Sequence, residues 1–578
     1  MTRVPKSSPP KSSRRPWLRA AAAGAASLLF AGGAVALTST QAGAAAGCKV
    51  DYTANQWNTG FTAEVKLTNL GDALSGWTLE WDFAGNQQVT SGWNATFSQS
   101  GKHVTVKNAD WNGTLATGAS ISPGFQATYS GTNDKPAQFK LNGVVCTGST
   151  GPTDPPTDPP TDPPGNRVDN PYAGAKVYVN PEWAAKATAE PGGSRIANQP
   201  TGVWLDRIAA IQGVNGGMGL RAHLDRALTQ GAGVIQLVVY NLPGRDCAAL
   251  ASNGELKADE LDKYKTQFID PISTILKDAK YANLRVVTVV EIDSLPNLVT
   301  NVSPRPTFTP NCDTMKANGN YQKGIAYALN KLGAIPNVYN YIDVGHHGWL
   351  GWDDNLGPSA ELLAQVARDS GAMTNVHGFI TNTANYGATK EPYFTINDSV
   401  GGTSVRQSKW VDWNRYVDET SYALGMRQRL VQAGFGDGIG MLIDTSRNGW
   451  GGAARPTGPG PQTSVDDYVN GGRTDRRIHL GNWCNQSGAG LGERPKAAPE
   501  AGIDAYVWIK PPGESDGSSK EIPNDEGKGF DRMCDPTYPG NPRNNNNMSG
   551  ALPDAPLSGH WFSAQFQELM RNARPALG

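Results

Sequence analysis

Residues 233–254 read GVIQLVVYNLPGRDCAALASNG. The run Val234–Tyr240 is almost wholly apolar and short, the pattern of a strand buried on both faces rather than one alternating between core and water. It breaks at Leu242-Pro243-Gly244, a turn, and then presents Arg245, Asp246 and Cys247. Similar text recurs downstream: RVVTVVE (285–291), VYNYIDVG (338–345), HGFITN (377–382), GIGMLID (438–444) and IDAYVWI (503–509), with KVYVN (176–180) upstream. Between these runs lie helical periods, GLRAHLDRALTQ, LDKYKTQFIDPISTILKDAK, YQKGIAYALNKL and WVDWNRYVDETSYALGMRQRLVQAG. Buried strands alternating with helices predict an α/β fold, a parallel sheet curled into a complete or incomplete barrel over residues 167–578.

The 578-residue chain is too long for one core. Residues 1–46 carry a basic start, SSRRPWLRA, an apolar run, AAAGAASLLFAGGAVAL, and A-x-A cleavage sites, an export signal with a loose twin-arginine motif. No later run is long enough to span a bilayer. Residues 149–166 enclose GPTDPPTDPPTDPPG, a polyproline-like tether of roughly 45 Å if extended. Between them, residues 47–148 hold short alternating runs such as FTAEVKLTN, GWTLEWDF and HVTVKN, the pattern of a small all-β sandwich.

The six cysteines of an exported chain pair within segments as Cys48–Cys146, Cys247–Cys312 and Cys484–Cys534. A rival reading makes Ala45-Ala46-Gly47-Cys48 a lipoprotein box. A formal net charge of −1 excludes a general polyanion binder. No nucleic-acid or membrane partner is expected after signal removal, and the chain reads as a monomer.

In parallel barrels chemistry gathers where strands end. Here the ends carry Asp246, Glu291 and Asp293, Asp343, Asp444 and, through KPPGESDG, Asp516. There is no HExxH, no cysteine cluster, no G-x-S-x-G elbow and no phosphate loop, and adjacent His346 and His347 cannot share one face of a strand or helix, so no metal or cofactor is expected. Carboxylates with tryptophans suit a sugar polymer, because indoles stack on pyranose faces and a protonated carboxyl delivers a proton to a glycosidic oxygen.

The motifs VVYNLPGRDCAALASNGE, VVEIDSLPNLVTN, YIDVGHHGWLGW, FITNTANYG, GNWCNQSG and YVWIKPPGESDG resemble family 6 glycoside hydrolases. The resemblance implies a distorted seven-stranded β/α barrel and inverting hydrolysis of β-1,4-glucan. It assigns Asp293 as general acid and Asp246 as the group that raises the acid's pKa. Asp516 matches the base position, with a water chain to Asp246 as the alternative. Asp343, Lys510 and Glu514 match the polar shell, Tyr240 the point of sugar distortion, and Ser252, Trp183, His346, Trp349, Trp352, Asn382 and Trp483 the sugar-binding positions. The chain departs from the commoner motif at Asn241, Gly244 and Ile292. Arg245 is expected to hold Asp246 ionised, and ionised Asp246 to keep Asp293 protonated.

Residues 48–146, with SGWNATFSQSGKHVTVKNADWNGTLATGASISPGF, resemble family 2 carbohydrate-binding modules. That resemblance makes Trp57, Trp93 and Trp111 the cellulose-facing set, while Trp77 and Trp81, in alternating strand text, read as core. The long segments Thr445–Gly502 and Lys510–Pro556, pinned by Cys484–Cys534, read as lids over the cleft. The expectation is a secreted cellobiohydrolase releasing cellobiose from non-reducing ends of cellulose. An endo-β-1,4-glucanase and a non-catalytic cellulose-binding or adhesion protein are the alternatives.

Overall fold

The computed structural model describes residues 48–146, apart from 72, 132, 134 and 137, and residues 167–578. The export segment 1–46 and the linker 149–166 lie outside the described residues. The chain divides into two compact units, on either side of Asp158 and Pro159.

The first unit is a sandwich of two five-stranded antiparallel sheets. One sheet joins β1 (Cys48–Trp57), β2 (Gly60–Asn69), β4 (Gln88–Trp93), β7 (Ser120–Ile121) and β8 (Gly124–Thr128); the other joins β3 (Thr78–Asp82), β5 (Thr96–Ser100), β6 (His103–Lys107), β9 (Phe139–Leu141) and β10 (Val144–Val145). Alternation drives the packing, since in β2 Phe61, Ala63, Val65 and Leu67 point inward while Glu64 and Lys66 point out. Trp77 and Trp81 are buried in this core, as expected. Cys48 bonds to Cys146, which leaves no Cys48 thiol for lipidation.

The second unit carries an eight-stranded sheet ordered β11-β12-β13-β14-β15-β18-β20-β19. Its parallel strands are β11 (Val203–Leu205), β12 (Val234–Val239), β13 (Arg285–Val290), β14 (Val338–Asp343), β15 (Gly378–Thr381), β18 (Gly440–Asp444) and β20 (Ile503–Val507). β19 (Lys496–Glu500) adds an antiparallel edge, and β16 (Ser399–Val400) with β17 (Thr403–Ser404) forms a separate hairpin. The sheet is a distorted, incomplete barrel. No ladder closes β11 onto β20, although Gly202 N donates to Trp508 O (2.9 Å) across the gap.

The first parallel strand differs from expectation. KVYVN contributes only a bridge, Val177 to Val234, because Asn180 already caps the helix Pro181–Ala189 by accepting from Glu182 N. The short run VWL at 203–205 takes its place. The helix expected from Trp410 starts at Glu419, where Asp418 accepts from Ser421 N. The helix Asn320–Gly333 covers the sheet with Tyr321, Ile325, Ala328, Leu329 and Leu332. Gly324 lies on this helix where a Cβ would come within 2.6 Å of Leu242, so the missing side chain lets the turn after β12 settle against it.

Candidate active site

The carboxylates collect at the C-terminal rim, on backbone that ordinary residues avoid. Asp246, Glu291 and Asp293 have φ of 55°, 52° and 59°, in the left-handed region. Such conformations persist only where the surroundings enforce them, and they cluster at functional sites. Here the enforcement is visible: Asp343 Oδ2 accepts from Asp293 N and from Gly345 N (3.1 Å each), and Glu291 accepts from Asn241 N, Leu242 N and the Tyr264 hydroxyl. Burial pushes Glu291 up to about 7. Glu291 and Asp444, which accepts from Lys510 N, Ser446 N and Ala384 N, brace the rim.

Asp293 lines a cavity of about 360 Å³. Burial pushes its carboxyl well above the usual range, and the charges of Asp343, Asp246 and Asp516 add to the effect in that order. Burial therefore outweighs the Asp246 charge that the sequence reading relied on. Asp343 itself is raised to about 6, chiefly by burial. Asp246 is also raised by burial, and the Arg245 charge is the largest influence opposing that rise. Arg245 does not pair with Asp246. Its guanidinium lies 4.0 Å from the centre of the Tyr240 ring and donates to the carbonyls of Asp206, Tyr240, Ser252 and Asn253. The partner of Asp246 is the Tyr240 hydroxyl, which donates to Oδ2.

Asp516 has a different environment. Arg447 Nη1 lies 2.8 Å from both its oxygens, the Tyr386 hydroxyl and Asn485 N donate to Oδ2 at 2.7 and 2.8 Å, and Lys510 Nζ lies 3.7 Å from Oδ1. Both oxygens of Asp516 are thus committed to donors and a buried cation. Arg447 and Tyr386 carried no mark in the sequence, because their pairing with Asp516 spans more than sixty residues.

The positions expected to bind sugar divide. Trp349, Trp352, Trp483, His346, Ser252 and Lys510 line the cavity with Asp293. Trp183 does not present a face to it: 1% exposed, it donates Nε1 to Pro512 O and packs edge-on to Trp508. Trp183 borders a neighbouring chamber, and Trp204, which donates to Ile509 O (2.8 Å) and stands edge-on to Tyr240, lies where the two chambers meet. Asn382 is fully buried and spends its side chain on Asp444 O, Asn448 Oδ1 and Gly387 N, so Asn385 reaches the cavity instead. A second chamber of about 470 Å³ shares Trp204, Tyr240, Lys510 and Ser558 with the first and adds Glu182, Glu514 and Trp561.

Both chambers are bounded by a roof. Lid residues 479–486 join lid residues 534–549 through Cys484–Cys534 and the bond from Asn544 Nδ2 to Asn482 Oδ1 (2.9 Å). The second lid then reaches over to the loop that carries Asp246: Gly529 N donates to Leu250 O (2.9 Å), Leu250 N to Asp531 Oδ2 (3.0 Å) and Arg543 Nη1 to Ala248 O (2.6 Å). Arg207 pairs with Glu526 (3.1 Å), and Lys528 with Asp206 (3.4 Å), at the edge of the second chamber. The disulfide Cys247–Cys312 fastens the Asp246 loop from the other side.

Among the described residues, His346, His347 and Glu419 place one ligand atom each within 4.8 Å of one another. The two histidines do converge. His346 is extended just before the short helix His347–Leu350, which belongs to neither a continuous strand nor a continuous helix. His347 Nδ1 lies 2.6 Å from Glu419 Oε1, so the pair ties the Trp349 loop to the helix Glu419–Gln432. Burial, then the Arg477 charge, holds His346 well below its ordinary pKa, which leaves a neutral ring on the cavity wall.

On the sandwich, Trp57, Trp93 and Trp111 are 49%, 44% and 71% exposed. Gly60 and Gly124 lie on the neighbouring strands, where a Cβ would come within 3.0 Å of the Trp57 ring and 2.4 Å of the Trp93 ring. Those glycines let the indoles rest against the sheet.

Residues 168–573 match the family described as glycosyl hydrolases family 6, and residues 48–146 match the cellulose binding domain family. Exoglucanase A of Cellulomonas fimi is 51% identical over 435 residues, 71% of this chain, and the match spans 49% of that protein's length. Exoglucanase 3 of Agaricus bisporus is 35% identical over 421 residues, 71% of this chain and 80% of the relative. Among solved structures, the catalytic domain of Cellulomonas fimi Cel6B aligns with a TM-score of 0.68 at 50% identity, covering 72% of this chain and 97% of that one. The Humicola insolens cellobiohydrolase Cel6A in complex with glucose and cellotetraose aligns at 0.55 and 31% identity, over 70% and 99%.

Proposed function

The chain belongs to glycosyl hydrolase family 6 and carries a cellulose binding domain ahead of the catalytic unit, and from that premise we propose that it is a secreted cellulase that releases cellobiose from cellulose chain ends with inversion. The observation that carries the reading is a buried carboxyl, Asp293, whose pKa burial raises, in an aromatic-lined cavity beside a lid hydrogen-bonded to the Asp246 loop. A polymer reaches such a cavity by threading an end through it, so the roof favours end action over attack within a chain. The relatives' names, Exoglucanase A and Exoglucanase 3, agree with that mode.

In this reading Trp349, Trp352, Trp483 and Trp204 hold successive glucose rings on apolar faces. Tyr240, packed beneath the reacting ring, favours its distortion. Asp293 gives its proton to the glycosidic oxygen, and water attacks the opposite face of the sugar. Asp516 serves as a fixed anion that stabilises positive charge developing on the ring, because its oxygens are committed to Arg447, Tyr386 and Asn485. The proton of the attacking water then passes through solvent to Asp246, whose carboxylate is held by Tyr240. Trp57, Trp93 and Trp111 hold the enzyme on the solid. The enzyme acts extracellularly, as a monomer, on cellulose and cello-oligosaccharides.

Proton NMR of cellotetraose hydrolysis tests the chemistry. Each cleavage makes one new reducing end, which should be α, while the other cellobiose keeps the anomers of the substrate, so the α fraction should first rise above its equilibrium value and then decay at the rate of mutarotation. An initial excess of β over its equilibrium value would mean a covalent intermediate and would overturn this use of Asp516.

A further inference from the structure

The segment that the sequence marked as helical but that folds as a loop, residues 410–418, carries a feature the proposed reaction does not use. Trp413 is 57% exposed, and among the described residues it is the only tryptophan of the second unit exposed to that degree. Its backbone and that of Asp412 are left-handed, with φ of 66° and 47°, which a bulky aromatic residue adopts only when its surroundings impose it.

The surroundings are the wall of the cleft. Trp352 Nε1 donates to Asp412 O (2.7 Å), Asn414 Nδ2 to His347 O (2.8 Å) and Arg415 N to Gly351 O (3.1 Å), and Arg415 pairs with Asp353. From the other side Trp413 N donates to Arg406 O (2.6 Å), Arg406 Nη2 donates to Trp413 O (2.7 Å), and the Arg406 guanidinium lies 5.9 Å from the centre of the indole. The loop beyond is anchored by its own apolar cluster of Phe394, Val400, Val405, Val411, Val417, Tyr468 and Val469. Apart from the Arg415–Asp353 pair these bonds fix the backbone, and the exposed indole sits one residue along the chain from Asp412, whose carbonyl the cavity-lining Trp352 holds.

We propose that Trp413 is a further sugar-stacking platform outside the cleft, which takes a β-1,4-glucan chain before it reaches Trp352; the proposal rests on the cellulase reading above. A glucan is the ligand because the surface continues the wall of Trp349 and Trp352 through direct hydrogen bonds, and because an exposed indole flanked by amide, carboxylate and guanidinium groups offers an apolar face ringed by partners for sugar hydroxyls. On this proposal a short oligosaccharide is held between Trp204 and Trp352, and only a longer chain engages Trp413.

The test compares wild type, Trp413→Ala and Trp413→Tyr, each as the full chain, on microcrystalline cellulose and on cellotetraose. The ratio of cellulose rate to cellotetraose rate should fall about two- to ten-fold in Trp413→Ala, the range expected for one aromatic contact. Trp413→Tyr should recover most of that ratio, and adsorption to cellulose should stay at the wild-type level. The proposal fails if the ratio does not change, if both rates fall together, if Tyr restores nothing, or if adsorption falls with the rate, which would indicate docking on a flat crystal face. These failures leave the wild-type rates intact; a wild type inactive on both substrates would instead remove the cellulase reading and this proposal with it.

Discussion

Asp293→Asn should lower the hydrolysis of cellotetraose by ~10²–10⁴-fold, the usual contribution of a positioned general acid. In barrier terms this is about 3–5 kcal/mol. The expectation rests on the lack of any competing use for the group: no side chain or backbone donor stabilises its anion, and burial with three neighbouring carboxyls keeps the proton on it. The backbone geometry survives the substitution, because Asp343 holds the main-chain N–H and Asn297 Nδ2 donates to the main-chain carbonyl. A cellobioside with a good phenolate leaving group needs little protonation, so the loss should shrink sharply on that substrate. Equal losses on both substrates would assign Asp293 to binding or structure, and wild-type activity would end its role altogether.

Asp246→Ala should lower kcat by ~10²-fold, at the lower end of acid–base contributions, because solvent can partly replace a proton acceptor reached through water. Its pH profile is the sharper readout. The acid must be protonated, so activity is lost as pH rises through the pKa of Asp293. That pKa is raised, and removing one neighbouring anion lowers it, so the alkaline limb should move toward lower pH in Asp246→Ala. Asp343 acts on Asp293 more strongly than Asp246 does, so Asp343→Asn should move the limb further. A limb that stays in place in both variants would leave burial alone responsible for the protonated acid.

The sequence displayed the reactive rim because strand ends are marked by abrupt changes in text: an apolar run, a turn, then a carboxylate. Asp246, Asp293 and Asp343 were legible for that reason, and so was Asp516 in its Gly-rich turn. The first strand was not. KVYVN has strand composition, yet Asn180 and Pro181 start a helix at once, while the true edge strand, VWL, is too short to be told from a loop. Trp204, on that short strand, carried no mark for the same reason, although it borders both chambers. The lid contacts with Gly529, Asp531 and Arg543 were invisible because they join segments nearly three hundred residues apart. Arg245 looked like the counter-ion of Asp246 because it is adjacent in sequence, but successive residues in this turn point apart, and Arg245 braces backbone carbonyls instead.

The central claim is that the cleft is a roofed passage entered by a chain end. It is tested most directly by partitioning new reducing ends between the soluble and insoluble fractions during early digestion of swollen amorphous cellulose. Closed contacts between the Asp246 loop and residues 529–543 predict that nearly all new ends are soluble and that cellobiose dominates the product. Abundant new ends on the insoluble residue would show that the roof opens to admit the middle of a chain, and would contradict the account.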